Sequence, residues 1–225
     1  MKSEIQRSEV AIPIGGERLG GELILPDDSA AVILFAHGSG SSRHSPRNQY
    51  VARVLHEAGL GTLLFDLLTE KEEREEYFTR HLRFNIELLA ERLVSATKWL
   101  HEQDLHQPQR IGYFGSSTGA AAALVAAADL PEQVGAVVSR GGRPDLAGPR
   151  LSEVTAPTLL LVGGNDTEVI ELNKEAFARL GCPKEIRLIP GATHLFEEAG
   201  ALEKVARLAS DWFLTHLQPA RPERV

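Results

Sequence analysis

From residue 31 onward the sequence alternates short apolar runs with longer segments of helical period, and this alternation limits the chain to a sheet with helices on its faces. Residues 31–36, 62–67, 110–114, 136–139, 158–162 and 186–189 have strand length and are rich in branched and aromatic side chains. Such runs mark strands covered on both sides, as in a parallel sheet. Ahead of them, residues 10–14 and 19–25 flank Gly15-Gly16, the pattern of a hairpin at the sheet edge. Pro26, Asp27 and Asp28 then turn the chain toward the third strand. About eight strands in a mostly parallel α/β sheet are therefore expected.

Two helices stand out by their spacing. Leu82, Ile86, Leu89, Leu93, Ala96 and Leu100 recur at intervals of four and three, as do Leu202, Val205, Ala209, Trp212 and His216. Core packing accounts for both stripes. The run 69–76 (TEKEEREE) reads as a solvated helix start or loop.

At 225 residues, with 43% hydrophobic and 24% charged side chains, the chain fits one globular domain, with its core at about residues 10–217 and a frayed polar tail at 218–225. The formal charge of −7, without Lys/Arg runs, argues against nucleic acid or an anionic membrane as partner. The longest apolar run, 120–128, is far short of the roughly 18 residues of a membrane span. The N-terminus has no signal-peptide core, so a cytoplasmic location is expected. Cys182 stands alone, which excludes an internal disulfide and lends no support to a Cys-ligated zinc. Nothing in the sequence calls for a metal or cofactor, and nothing in it sets the oligomeric state.

Gly115-Ser116-Ser117-Thr118-Gly119 fits G-x-S-x-G, between the strand 110–114 and an Ala-rich helix. That context is the one in which a serine on a sharp strand-to-helix turn projects its hydroxyl above the sheet. The two partners of such a serine follow in the required order. Asp166 comes just after the strand 158–162, and His194 just after 186–189. Both sit at the edge where open α/β sheets bind ligands. Asp166 could instead cap the next helix, although Thr167 could take over that task.

His37-Gly38-Ser39-Gly40-Ser41-Ser42 follows the third strand. Acyl transfer needs two backbone N–H groups aimed at the developing oxyanion. The expected donors are Thr118 and Ser39, with Gly40 the second choice for the loop. The segment fits neither phosphate-binding glycine pattern. His37 reads as a structural residue fixing the loop.

In this order, HGSGSS, GSSTG, GGND and GATH resemble the α/β-hydrolase fold family, and the compact length resembles its dienelactone hydrolase-like branch. The resemblance spans about residues 10–217 and implies a triad of Ser117, Asp166 and His194. Two positions depart from that branch. Its name-giving enzymes use a cysteine nucleophile where Ser117 stands, and an acidic residue near His37. Cys182 lies far away in a helix-ending Gly-Cys-Pro. These departures favour a serine esterase acting on a small-molecule ester over an enzyme for dienelactone itself.

No insertion is long enough for a large cap domain; the roomiest connections are 68–80 and 141–157. An open site for small or medium substrates is expected. Arg140 and Arg143 could bind a substrate carboxylate bidentately, or could form surface salt bridges with Asp145 and neighbours. Arg43, His44 and Asn48 are weaker candidates. A non-catalytic binding protein on the same fold, and an acyltransferase using an acceptor other than water, are the rival readings.

Overall fold

A computed structural model describes residues 5–27, 29, 31–103, 105 and 110–217. Asp28 of the expected turn and the tail 218–225 lie outside the described residues. Eight strands form one sheet: β1 (Ile5–Ile14), β2 (Glu17–Pro26), β3 (Ala31–Ala36), β4 (Gly61–Phe65), β5 (Arg110–Ser116), β6 (Val134–Arg140), β7 (Thr158–Gly163) and β8 (Lys184–Ile189). Their spatial order is β1-β2-β4-β3-β5-β6-β7-β8. β2 is antiparallel to both neighbours, and every pairing from β4 to β8 is parallel. The expected edge hairpin and the eight-stranded, mostly parallel sheet are both present.

Six helices, α1 (Pro46–Glu57), α2 (Glu70–Thr79), α3 (Ile86–His101), α4 (Thr118–Asp129), α5 (Thr167–Arg179) and α6 (Ala201–Leu217), connect or follow the strands. In β3 the side chains alternate between two cores. Val32, Leu34 and Ala36 meet α3 and α4, while Ile33 and Phe35 meet α1 and α6. Every residue of β3, β4 and β7 is buried, as covering on both faces requires.

Several expected boundaries move for physical reasons. β1 reaches back to Ile5 because backbone pairing with β2 carries it through Ile5 and the polar residues 6–9, whose side chains are largely exposed at the sheet edge. Leu82 does not begin the long helix. It lies in a single 3₁₀ turn (Leu82–Phe84), and α3 starts at Ile86 because the Asn85 side chain accepts from Leu88 N–H. In α6 the buried face centres on Val205, Ala209, Phe213 and Leu217, leaving His216 half-buried against Trp212.

The charged run does begin a helix: Thr69 and Glu72 form a reciprocal capping box. It is not wholly solvated. Glu76 is buried, accepts from the Leu82 and Arg83 backbone N–H groups and pairs with the Arg83 side chain. The connections after β4 and β6 fold into α2 and a 3₁₀ stretch (Pro144–Glu153), with no cap domain among the described residues.

Candidate active site

The chain turns sharply from β5 into α4 at Ser117, which takes φ 50° and ψ −123°. For a residue with a Cβ such a backbone costs of order 1–3 kcal/mol, so the surroundings must enforce it. Two glycines make the turn sterically feasible. A Cβ on Gly115 would lie 2.4 Å from Ala120 Cα, and one on Gly119 would lie 2.2 Å from the Ala36 carbonyl oxygen. Small residues thus let α4 pass directly over β5 and β3.

The two loops beyond β7 and β8 are laced together by backbone hydrogen bonds. Gly164 N–H donates to Ile189 O, and Asn165 N–H to Ala192 O. A Cβ on Gly163 would come within 2.6 Å of the Ala192 and Thr193 carbonyls. This close approach brings His194 Nδ1 to 2.7 Å from Asp166 Oδ2. Asp166 itself occupies the N-cap position of α5, the place considered for Thr167, but its side chain makes no capping hydrogen bond. The carboxylate is instead committed to the histidine. Thr193 donates to Glu198 through its backbone and its hydroxyl, at 3.1 and 2.6 Å, and pins the His194 loop from the far side.

Gly141 joins this loop to the elbow. It lies one residue beyond β6, and a Cβ on it would lie 3.0 Å from the His194 carbonyl oxygen and 3.7 Å from Cε1 of the His194 ring. The flanking Arg140 carbonyl accepts from Ser117 N–H, and Arg143 N–H donates back to Ser117 O. Ser117, Asp166 and His194 therefore lie on adjoining loops at one edge of the sheet. Among the described residues the His194 ring makes one hydrogen bond, to Asp166, and none to the Ser117 hydroxyl. In unliganded enzymes catalytic hydrogen bonds are often long and tighten only with substrate.

The loop after β3 lies directly against the elbow, where a Cβ on Gly38 would be 3.0 Å from that of Ser117. His37 is buried and fixes this loop. Its Nε2 accepts from Leu67 N–H at 3.1 Å while Nδ1 faces Gly38 O, and burial lowers its pKa so that it stays neutral. Thr118 opens α4, where the first N–H groups have no partner within the helix. The Ser39 amide donates to Thr118 Oγ1 at 3.1 Å, so the two expected oxyanion residues touch each other at rest. Gly40 turns the loop at φ 68°, and Ser41 N–H then returns to Gly38 O.

The remaining candidates separate by partner. Arg143 forms a bidentate pair with Asp145 at 2.8 and 2.9 Å, the salt bridge weighed against carboxylate recognition. Arg43 pairs with Asp66 through both backbone and side chain, which ties the loop to the end of β4. His44 is exposed and lines the cleft, its backbone N–H donating to Ser42 Oγ.

Arg140 differs from either expectation. It is only 7% exposed, with Nε donating to Ser116 Oγ and Nη2 to Asn48 Oδ1, and is neither a surface salt bridge nor an open carboxylate receptor. Charge after a strand gave no hint of this burial, and nothing in the sequence marked Phe196 or Glu198 as supports of the histidine loop. The Cys182 thiol sits near Thr158, the first residue of β7 and so at the opposite sheet edge, and burial pushes its pKa up.

A cleft of about 1500 Å³ opens beside the oxyanion loop, lined by residues that include Ser39, Gly40, His44, Lys71, Arg74 and Tyr77. It meets the site at Ser39 and Gly40, not at the three catalytic candidates themselves. No helix among the described residues is long and apolar enough to cross a membrane.

Known proteins share the fold. The crystal structure of a dienelactone hydrolase from Anabaena variabilis is 56% identical, with a TM-score of 0.93 over 95% of this chain and 99% of that one. An esterase of Pyrococcus furiosus is 19% identical with a TM-score of 0.79, covering 95% and 94%, and shares the fold. A Mycobacterium tuberculosis protein with the provisional name phosphoribosyl transferase is 55% identical over 213 residues, 95% of this chain but 47% of its own length. The chain thus spans about half the length of that curated relative. The dienelactone hydrolase family pattern matches residues 20–217, and with the sheet order and site geometry above, the chain belongs to the dienelactone hydrolase family.

Proposed function

We propose that the chain is a serine hydrolase that cleaves a small or medium carboxylic ester, or a related lactone or thioester, through an acyl-enzyme on Ser117. One observation carries this reading: a non-glycine residue held at φ 50° between β5 and α4, on a loop adjoining a histidine already bonded to a carboxylate. In the proposed scheme the Asp166 contact keeps the proton on His194 Nδ1 and leaves Nε2 as the base. Ser117 Oγ attacks the carbonyl carbon as Nε2 takes its proton. The oxyanion is met by the Thr118 and Ser39 amides, the substrate oxygen taking the place of Thr118 Oγ1 on the latter. His194 then protonates the leaving group, and water deacylates the serine by the same route.

The family membership and the 56% identical dienelactone hydrolase, matched over 99% of its length, support hydrolysis as the reaction class. The phosphoribosyl transferase name belongs to a protein of which this chain matches 47%, and it carries less weight. Ser117 as nucleophile, and a buried neutral His37 whose two nitrogens face backbone groups, favour general ester cleavage. Hydrolysis of p-nitrophenyl acetate by the wild type and by Ser117→Ala tests the reading. Turnover should disappear in a variant with unchanged circular dichroism, and substantial residual turnover would reject Ser117.

A further inference from the structure

Arg140 has no part in the acyl-transfer scheme, yet its contacts reach the nucleophile turn, the first turn of α1 and the His194 loop. Its Nε donates to Ser116 Oγ, next to the nucleophile, at 3.3 Å. Its Nη2 lies 3.5 Å from Oδ1 of Asn48, in the first turn of α1, and Asn48 also accepts from Ser116 Oγ at 3.3 Å. The guanidinium carbon stands 5.9 Å from the ring centre of Phe196, two residues beyond His194, and the Arg140 carbonyl accepts from Ser117 N–H. Beside it, Arg47 of α1 pairs with Glu197 at 3.0 Å and fastens the same histidine loop.

The energetics make a purely stabilising role unattractive. Among the described residues no carboxylate forms an ion pair with Arg140, and its partners are neutral oxygens. Burial, reinforced by the nearby Arg47 charge, lowers its pKa to about 10, so it remains protonated at neutral pH. A buried cation without a counter-ion carries a desolvation penalty that an apolar side chain of similar size would avoid. What the guanidinium adds is a rigid fork, with donors at fixed separation and a flat face for the aromatic ring.

We propose that Arg140 is a positioning residue for the reaction, holding the nucleophile strand, the start of α1 behind the oxyanion loop and the His194 loop in one fixed relation. The proposal rests on the serine hydrolase reading. Its leverage follows from geometry, because a displacement of about 1 Å at a reacting group can cost roughly 100-fold in rate.

The test compares wild type, Arg140→Met, Asn48→Ala and the double variant on p-nitrophenyl acetate, with competent sites counted by fluorophosphonate titration. For Arg140→Met, kcat per titrated site should fall about 10- to 100-fold while KM stays within about 3-fold. Asn48→Ala should give a smaller loss in the same direction, and the double variant should be no worse than Arg140→Met, because the two side chains act as one unit. A merely structural role would lower the melting temperature and the titratable fraction yet leave kcat per titrated site unchanged, and that result overturns the proposal. Fully additive losses would also overturn it. If Arg140→Met does not fold, Asn48→Ala decides alone, an unchanged kcat per site again being the contrary result. A wild type that takes up no fluorophosphonate at Ser117 would reject the serine hydrolase reading itself, a failure visible before any Arg140 variant is measured.

Discussion

His194 Nδ1 and Asp166 Oδ2 stand 2.7 Å apart across 28 residues of sequence, joined by two loops that share backbone hydrogen bonds. Because the Asp166 side chain makes no capping hydrogen bond to α5, its replacement tests orientation with little effect on the helix. Asp166→Asn should lower kcat by about 100- to 10,000-fold through the wrong imidazole tautomer. The urea midpoint should stay close to that of the wild type, and a large loss of stability would mean that the carboxylate has a different role.

The strained backbone at Ser117 makes a second prediction, on stability rather than rate. Ser117→Ala keeps a Cβ at φ 50°, whereas Ser117→Gly relieves the clash. The glycine variant should be the more stable of two inactive proteins by about 1–3 kcal/mol, less the entropy glycine gains when unfolded. Equal unfolding free energies in urea would show that the turn is not strained.

Acid should weaken the fold through buried His37 and half-buried His56. His37 and His56 both have pKa values lowered by burial, His56 to about 4, while in the unfolded chain both titrate near 6.5. Between those values the unfolded state binds more protons, so stability falls as pH drops below about 6.5, and above that the effect vanishes. Glu76, held below its usual value by Arg83 and two backbone N–H groups, adds a loss in the same direction at lower pH. The urea midpoint should be lower at pH 5 than at pH 7.5, and His56→Gln should shrink the difference. A midpoint unchanged or higher at pH 5 would contradict these assignments.

The sequence made the sheet and the order of Ser117, Asp166 and His194 legible because both depend on local signals: apolar runs, a glycine-flanked serine and short loops after strands. It hid whatever depends on distant partners. Glu76 sits in a charged run that looks solvated, and only the return of the chain at Arg83 permits its burial. Arg140 stands at the end of a strand as many surface arginines do, and its burial requires Asn48 from α1 and Phe196 from the histidine loop. The first half of the edge strand β1 is hidden for a related reason, since those residues are held by pairing with β2 rather than by a hydrophobic pattern.

The most direct measurement is covalent labelling by a fluorophosphonate, mapped by peptide mass spectrometry. Ser117 as nucleophile predicts one equivalent of label, on the peptide containing Ser117, with esterase activity lost in step with labelling and no uptake by Ser117→Ala. Label on another residue with parallel loss of activity, or hydrolysis that persists after Ser117 is fully modified, would contradict it.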